Sequence, residues 1–304
     1  MRTQAPFLGL IYMQPLTFSR FRHRIFVPVL LLALNACDKP QSTPAPEPEL
    51  FTASPTAKPV LPIINEVSGI ADSKVNPGRL WAHEDSGGPL KLYLLSHDGT
   101  VIKKIHLKGT SNRDWEDMAL AGTDLFIGNI GDNNQAYTDY SFYQFPEPAA
   151  AVDTVKNSQR IRFKYPDGSH DAEAFLVDPV TKDIYIITKQ DDPSRIYKLS
   201  FPYDYTGFNA TTLVGNLKYT GIVSAAYAPD GKEILLKTYT GVYHYKLTAG
   251  ESTAAALQQS FTRLAYQTEP QGEAIGFAAD NSGFFTLSEK GLAQEVQLYF
   301  YKRN

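Results

Sequence analysis

Five related segments, spaced by about fifty residues, decide the fold of this chain: Glu66-Val67-Ser68-Gly69-Ile70, Glu116-Asp117-Met118-Ala119-Leu120, Glu173-Ala174-Phe175-Leu176-Val177, Val223-Ser224-Ala225-Ala226-Tyr227 and Glu273-Ala274-Ile275-Gly276-Phe277. Each segment is followed by further short apolar runs, and turns such as Asp98-Gly99 and Asp230-Gly231 separate those runs. A repeat of this length, with several short strands per unit, is typical of a β-propeller. We therefore predict an all-β propeller with five blades.

The final repeat lacks a fourth strand of its own. The apolar segment 60–64 lies directly before Glu66, where the outer strand of a blade is expected. We predict that this N-terminal strand completes the last blade, because the ring would then have no open sheet edge. An alternative with six blades places an extra unit in residues 135–157, although the prolines and alanines there favour a loop.

The first part of the chain has the pattern of a bacterial lipoprotein signal. Basic residues at 20–24 precede an apolar run at 25–34, which is too short to span a bilayer comfortably. Cys37, the only cysteine, follows in a lipobox-like context. We predict a signal peptide over 1–36, lipidation at Cys37, a Pro-rich tether over 37–58 and a propeller domain over 59–304. An anchor helix with an incidental cysteine is the alternative.

These features predict a place in the bacterial cell envelope. The lipidated Cys37 would hold the protein on the periplasmic side of the inner or outer membrane. The formal net charge of -3 gives no basic surface for nucleic acid, so a nucleic-acid partner is not expected.

The repeat also predicts a functional surface, because the first strand of each propeller blade lines the central channel. Four of the five segments begin with glutamate, and Val223 is the exception. Carboxylates that converge on one axis repel one another and raise each other's pKa unless a cation balances them. Lys237 belongs to the same repeat as Val223, so this blade is where we expect the asymmetry of the channel.

Clustered carboxylate oxygens suit a hard cation such as Ca²⁺. The candidate metal ligands are Glu66, Asp85, Asp114, Glu116, Asp132, Asp171, Glu173, Glu273 and Glu289. In the alternative interpretation, these carboxylates only accept hydrogen bonds from neighbouring backbone amides. Lys189 is either the counter-charge of the cluster or a phosphate-binding group. If the protein is an enzyme, its candidate catalytic residues are Glu173, Glu273 and Lys189.

A wider set of phrases carries a resemblance to known proteins: Glu66-Val67-Ser68-Gly69-Ile70, His83-Glu84-Asp85-Ser86-Gly87-Gly88, Asp114-Trp115-Glu116-Asp117, Gly131-Asp132-Asn133, Asp171-Ala172-Glu173-Ala174 and Gly272-Glu273-Ala274-Ile275. The chain after residue 60 resembles a family of uncharacterised bacterial secreted or lipid-anchored propellers. It is more distantly similar to the SdiA-regulated and phytase-like propellers. The phytase-like resemblance implies calcium binding and action on phosphate esters, but few basic side chains are present to hold a heavily phosphorylated substrate.

Two classes of function follow. The first is a lipid-anchored propeller that binds a divalent cation and a small-molecule or protein ligand at its channel. The second is a metal-dependent hydrolase of esters or phosphoesters, with Glu173 or Glu273 as the base.

Overall fold

The computed structural model describes residues 49–304. The predicted signal peptide, Cys37 and most of the predicted tether lie outside the described residues. The described part contains one short helix, α1 (Thr253–Leu257), which is too short to cross a membrane. The strands are, in chain order, β1 (Thr56–Pro59), β2 (Val67–Asp72), β3 (Arg79–Glu84), β4 (Lys91–Ser96), β5 (Val101–Leu107), β6 (Trp115–Ala121), β7 (Asp124–Asn129), β8 (Tyr140–Pro146), β9 (Thr154–Val155), β10 (Gln159–Lys164), β11 (Ala172–Val177), β12 (Ile184–Thr188), β13 (Arg195–Leu199), β14 (Phe208–Asn216), β15 (Ile222–Tyr227), β16 (Glu233–Thr238), β17 (Gly241–Lys246), β18 (Thr262–Leu264), β19 (Ala274–Phe277), β20 (Gly283–Leu287) and β21 (Gln297–Lys302).

Antiparallel pairing places all of these strands except β9 in five four-stranded units. Blade 1 is β2-β3-β4-β5, blade 2 is β6-β7-β8-β10, blade 3 is β11-β12-β13-β14, blade 4 is β15-β16-β17-β18 and blade 5 is β19-β20-β21-β1. The inner strands β2, β6, β11, β15 and β19 each contact the next, and β19 contacts β2. The inner strands therefore form a closed ring, and the predicted β-propeller fold is confirmed.

Two short pairings connect the outer edges of the blades. The strand β10 pairs in parallel with β14, which joins blades 2 and 3, and β9 pairs in parallel with the outer strand β5. Residues 135–157 supply β8 and β9 and no separate four-stranded unit, so the extra unit of the six-blade alternative is not found there.

The core consists of five apolar clusters, one at each interface between neighbouring blades. Side chains alternate along each strand, so one face of a blade packs on the preceding blade and the other face on the following one. In β3, for example, Leu80 and Ala82 face blade 5, whereas Trp81 between them packs against blade 2. Burial on both faces explains why second strands such as β12 and β20 consist almost entirely of apolar residues.

An N-terminal strand completes blade 5, as predicted, but it is not the predicted segment. The strand β1 pairs with β21, with Thr56 opposite Phe300 and Pro59 opposite Gln297. Residues 60–64 instead cross from blade 5 to blade 1, because Val60 donates to the Val296 carbonyl and Leu61 to the Gly99 carbonyl. Val60 and Ile64 of this crossing are buried between the two blades, whereas Leu61 is 58% exposed. The Pro-rich stretch also contributes Phe51, which is buried between blades 4 and 5.

Candidate functional site

The site lies at the end of the channel where the inner strands begin. Carboxylates from blades 1, 2, 3 and 5 converge there. We call these six residues the acidic mouth: Asp85, Asp114, Glu116, Glu173, Glu273 and Glu289. All six belong to the set of candidate ligands predicted from the sequence.

Four of the inner strands have a β-bulge near their first residues, and in blades 2, 3 and 4 the bulge coincides with the repeat residue. In β2 the pairing with the neighbouring strand is interrupted at Ser68, and in β6 it is interrupted at Glu116 and Asp117. In β11 and β15 the interruptions lie at Glu173 and Val223. Bulges re-aim side chains and are frequent beside functional sites. Here they turn Glu116 and Glu173 towards the channel although the flanking residues pack in the core.

The first repeat is out of register with the others. Ser68, not Glu66, occupies the bulge position that Glu116 and Glu173 fill in blades 2 and 3. Glu66 lies two residues before Ser68, as Asp114 lies two residues before Glu116. Glu66 is exposed, whereas Asp114 is half-buried. It lies close enough to the mouth to contribute to the raised pKa of Asp85, but it is a rim residue. The alignment of the four repeat glutamates from sequence was therefore wrong for blade 1.

Asp85 is common to two groups of carboxylates. Oxygens of Asp85, Asp114 and Glu116 lie within 4.8 Å of one another, and so do oxygens of Asp85, Glu273 and Glu289. Oxygen-only groups of this kind have the donor chemistry that hard divalent cations prefer.

The carboxylates of the mouth lie close to one another, and too few basic side chains are nearby to balance their negative charge. Burial and the neighbouring carboxylates Asp114 and Glu273 raise the pKa of Asp85 to about 7, against a hydrogen bond from the Ser86 amide. Burial also raises the pKa of Asp114 to about 6, with help from the nearby Asp171. For Glu289, burial and the Glu273 charge raise the pKa to about 8. A bound cation would reverse these shifts.

Glu116 is the most deeply enclosed member of this set. It is 3% exposed, and burial with the Glu173 charge raises its pKa well above the usual value. The Ser68 hydroxyl donates weakly to its Oε2, at 3.5 Å. The backbone of Gly131 passes so close that a Cβ there would lie 2.0 Å from Glu116 Oε1 and 2.6 Å from Asp114 Oδ2.

On the side of the mouth formed by blades 3 and 4, a lysine and a tyrosine donate hydrogen bonds to the carboxylates. Lys189 donates to Glu173 Oε1 and, at 3.2 Å, to the Tyr239 hydroxyl. Tyr239 in turn donates to Glu273 Oε1 at 2.6 Å. Burial alone would lower the pKa of Lys189, but Glu173 and Tyr239 raise it above the usual value. This chain of hydrogen bonds occupies the sector where Val223 replaces a glutamate.

One buried oxygen of this chain has no partner. Glu173 is 4% exposed, and its Oε2 is shielded from solvent without a hydrogen bond among the described residues. Its Oε1 is the atom that Lys189 binds. The charges of Glu273 and Asp171 act on Glu173, and the Glu173 charge acts on Glu116, so this side chain belongs to the mouth.

Two of the predicted ligands serve the loops beside the mouth. Asp132 accepts from the amides of Ala136 and Tyr137 at 2.8 Å and from the Tyr140 hydroxyl at 2.7 Å. Asp171 accepts from the Asp132 amide at 2.8 Å and from Gln190 Nε2 at 2.9 Å. These contacts match the backbone-capping interpretation for both residues.

Lys237 is enclosed beneath the mouth. It is fully buried, donates to the Gly272 carbonyl, and lies 3.4 Å from Glu269 Oε2. Burial lowers its pKa. Tyr239, two residues later, is the side chain of this blade that reaches the carboxylates.

Sequence reasoning missed a buried polar contact within the channel. Asp117 Oδ2 accepts from the Ala225 amide at 3.0 Å and, more weakly, from the Phe175 amide at 3.5 Å. Burial raises the pKa of Asp117 to about 8, although its hydrogen bonds oppose the change. The available signal was its position, because only this repeat has a charged residue directly after the glutamate.

Beyond Asp117 the channel becomes apolar. The later halves of the inner strands enclose a cavity of about 90 Å³, lined by side chains that include Ile70, Met118, Phe175, Ala225 and Ile275. Asp72 and Lys74 also line this cavity, but most of the carboxylates of the channel lie at the mouth.

No protein-family model matches the chain, and no characterised protein matches it by sequence. Solved structures that resemble it include a luciferin-regenerating enzyme, with 8% identity, 82% of this chain and 95% of the other covered, and a TM-score of 0.48. A chain of a nidogen–laminin complex has 10% identity, coverage of 77% and 83%, and a TM-score of 0.44. A chain of the mitotic checkpoint complex has 10% identity, coverage of 91% and 98%, and a TM-score of 0.45. Likenesses at this level carry no argument about function, and the propeller fold is evident from the strand pairing itself.

Proposed function

We propose that this protein is a propeller that binds a divalent cation at the acidic mouth and, through it, a small-molecule or protein ligand. The observation that carries the proposal is the charge imbalance of the mouth. Six carboxylates gather there, and Lys189 is the basic side chain that contacts one of them. Buried like charges at this density destabilise the fold unless they are protonated or neutralised by a cation.

Calcium is the cation we propose. The acidic mouth provides only oxygen donors, which Ca²⁺ takes at flexible geometry and in numbers of about 6–8. The exposed rim lies beside the half-buried Asp85, so a ligand with a carboxylate, carbonyl or hydroxyl group could complete the coordination from the solvent side.

Melting curves of the full chain provide the direct test. After removal of ions with a chelator, addition of Ca²⁺ to about 100 times its Kd should stabilise the fold by about 2.7 kcal/mol, or roughly 5–10 °C in Tm. Asp85→Asn should abolish most of this shift. Glu295→Gln, an exposed carboxylate elsewhere, is the matched control and should keep it. An unchanged Tm, with no heat of binding in calorimetry, would exclude the cation.

A hydrolase of esters or phosphoesters is the second candidate. It is favoured by Glu173 Oε2, which is buried and has no hydrogen-bond partner in the described part of the chain. This oxygen could take a proton from a water that attacks an ester carbonyl or a phosphorus atom. The oxygen of the water would join the acyl or phosphoryl group, and the alcohol would leave with a proton returned to it. Lys189, held against the same carboxylate, would stabilise the negative charge that develops.

Assays with ester, lactone and phosphoester panels in the presence of Ca²⁺ separate the two candidates. Turnover that Glu173→Gln abolishes, with Ca²⁺ binding retained, would establish the enzyme. Absence of turnover throughout the panels, with Ca²⁺ binding intact, would leave the binding function.

We also propose that the protein is held in the bacterial cell envelope through lipidated Cys37, as in the lipid-anchored propellers that its sequence resembles. The basic residues at 20–24, the apolar run at 25–34 and the position of Cys37 support this. In a bacterial host, the chain should incorporate labelled palmitate and sediment with membranes. Cys37→Ser should remove the label, and a label that persists in this variant would contradict the assignment.

A further inference from the structure

The acidic mouth contains two groups of carboxylates on opposite sides of one residue. Asp85 follows the second strand of blade 1. Asp114 and Glu116 come from blade 2, and Glu273 and Glu289 come from blade 5. Blade 1 lies between blades 2 and 5 in the ring, since β2 contacts both β6 and β19. Asp85 therefore stands between the two pairs and belongs to both groups.

A single cation would leave much of this charge unbalanced. The five carboxylates of the two groups would carry about five negative charges when ionised. Lys189 is already engaged by Glu173, and Arg113 is a basic residue whose charge acts on Asp114. One divalent ion on either side of Asp85 would leave the other pair of carboxylates facing each other without a counter-ion. Two divalent ions nearly balance the total.

A separate observation also points to a ligand. Within residues 49–304, Glu173 Oε2 is buried without a hydrogen-bond partner, whereas Oε1 of the same carboxylate binds Lys189. The Glu173 charge acts on Glu116, and the Glu273 charge acts on Glu173. Glu173 therefore stands near one member of each group, with one oxygen not bonded to protein. Buried polar atoms of this kind are rare in native proteins unless something binds them.

We propose that the acidic mouth holds two divalent cations that share Asp85 as a bridging ligand. The first ion would be bound by Asp85, Asp114 and Glu116, and the second by Asp85, Glu273 and Glu289. Paired cations about 3.5–4 Å apart are a recurrent arrangement in proteins, and a shared carboxylate is compatible with that spacing. This inference rests on the proposed cation binding and specifies its stoichiometry.

Calorimetric titration of Ca²⁺ into the chelator-treated full chain tests the inference. We expect two ions per chain in the wild type. Glu116→Gln and Glu289→Gln should each reduce the stoichiometry to one, because each removes a ligand of a different ion. Asp85→Asn should weaken both ions by at least tenfold. Glu295→Gln should leave two ions bound, and melting curves without Ca²⁺ should show that every variant folds.

Substitution of Mn²⁺ for Ca²⁺ gives a second measurement. Two Mn²⁺ ions that share a carboxylate should give an exchange-coupled electron paramagnetic resonance spectrum, which Glu289→Gln should convert to that of an isolated ion. One ion per wild-type chain would overturn the paired site and leave the proposed cation binding intact. No binding by the wild type would instead overturn the proposed function itself. An unchanged stoichiometry in both Glu116→Gln and Glu289→Gln would contradict the ligand assignment.

Discussion

The Ser224 hydroxyl donates a hydrogen bond of 2.9 Å to Asp117 Oδ1, across the centre of the channel. The same hydroxyl accepts from the Ile275 amide at 3.2 Å, and Asp117 Oδ2 accepts from the Ala225 amide at 3.0 Å. Inner strands of a propeller have one edge that no neighbouring strand pairs with, so their amides need other acceptors. Asp117 and Ser224 supply these acceptors and connect the inner strands of blades 2, 4 and 5.

We expect Asp117→Asn to destabilise the fold by about 2–4 kcal/mol. The side-chain NH₂ of asparagine would point at the N–H and O–H groups whose hydrogen bonds the carboxylate now accepts. Ser224→Ala should destabilise by about 1–2 kcal/mol, since it leaves one buried amide unpaired. Denaturant titrations of both variants and of the double variant measure these values. If the two effects simply add, the two residues do not form one network.

The propeller fold could be predicted from sequence because every blade needs the same buried strands and the same tight turns. A strand buried on both faces needs an apolar run, and a tight turn needs Gly, Asn or Asp, so both signals recur in every unit. The closing strand was misplaced because β1, with exposed Thr56 and Lys58, has almost no apolar signal. Its position is determined by pairing with the distant β21, which no local pattern reveals.

Glu116→Gln should have opposite effects with and without Ca²⁺. In chelator, the variant should be more stable than the wild type by about 1 kcal/mol, because it removes a buried carboxyl group that must otherwise be protonated or remain ionised beside like charges. With saturating Ca²⁺, it should be less stable than the wild type, because a ligand is lost. Melting curves in both conditions test this reversal. A lower Tm for the variant in chelator as well would show that Glu116 has a purely structural role.

Gly131→Ala should weaken Ca²⁺ binding by at least tenfold without any change in charge. The added Cβ would overlap Glu116 Oε1 and Asp114 Oδ2, so these carboxylates would have to move. Gly241→Ala is a suitable control, since a Cβ there would lie 3.2 Å or more from the movable Arg263 side chain. Calorimetry compares the two variants. Wild-type affinity in Gly131→Ala would show that the pair does not bind the ion.

The candidate site was predictable in composition but not in register. Carboxylates at recurring positions were visible in the sequence, and six of the predicted ligands do meet. The error for Glu66 arose because the repeats were aligned on their glutamates, whereas the bulge of blade 1 lies two residues later, at Ser68, a position that the apolar pattern does not mark. The roles of Asp132 and Asp171 depend on loop amides, whose positions follow from the folded chain.

The stability of the propeller should fall in acid through Glu233. The Arg303 guanidinium donates to both of its oxygens, at 3.1 and 2.8 Å. Burial alone would raise the pKa of Glu233, but His244 and Arg303 lower it to about 2, from an ordinary value of 4.5. A lowered carboxyl pKa stabilises the fold above the unfolded value, and this contribution is lost as pH falls from about 5 to about 2.

Glu233→Gln should therefore reduce the free energy of unfolding by about 1–2 kcal/mol at pH 6 and by much less near pH 2, with allowance for partial exposure. Urea titrations of wild type and variant at both pH values give the difference. Glu295→Gln should show no such pH-dependent difference. An equal loss at both pH values would indicate a packing effect instead of the ion pair.

Phe51 should be as important to the fold as any core residue, although it lies in the Pro-rich stretch before the first strand. It is 4% exposed and packs edge-on against Phe284 at a centroid distance of 5.0 Å, with the Arg303 guanidinium 4.7 Å from its ring centroid. Phe51→Ala should destabilise the propeller by about 3–5 kcal/mol, because it opens a cavity between blades 4 and 5. Phe201→Ala is the matched control, since Phe201 is 51% exposed, and it should change stability by less than about 1 kcal/mol. Similar denaturation midpoints for Phe51→Ala and the wild type would mean that the segment before β1 does not contribute to the closure of the ring.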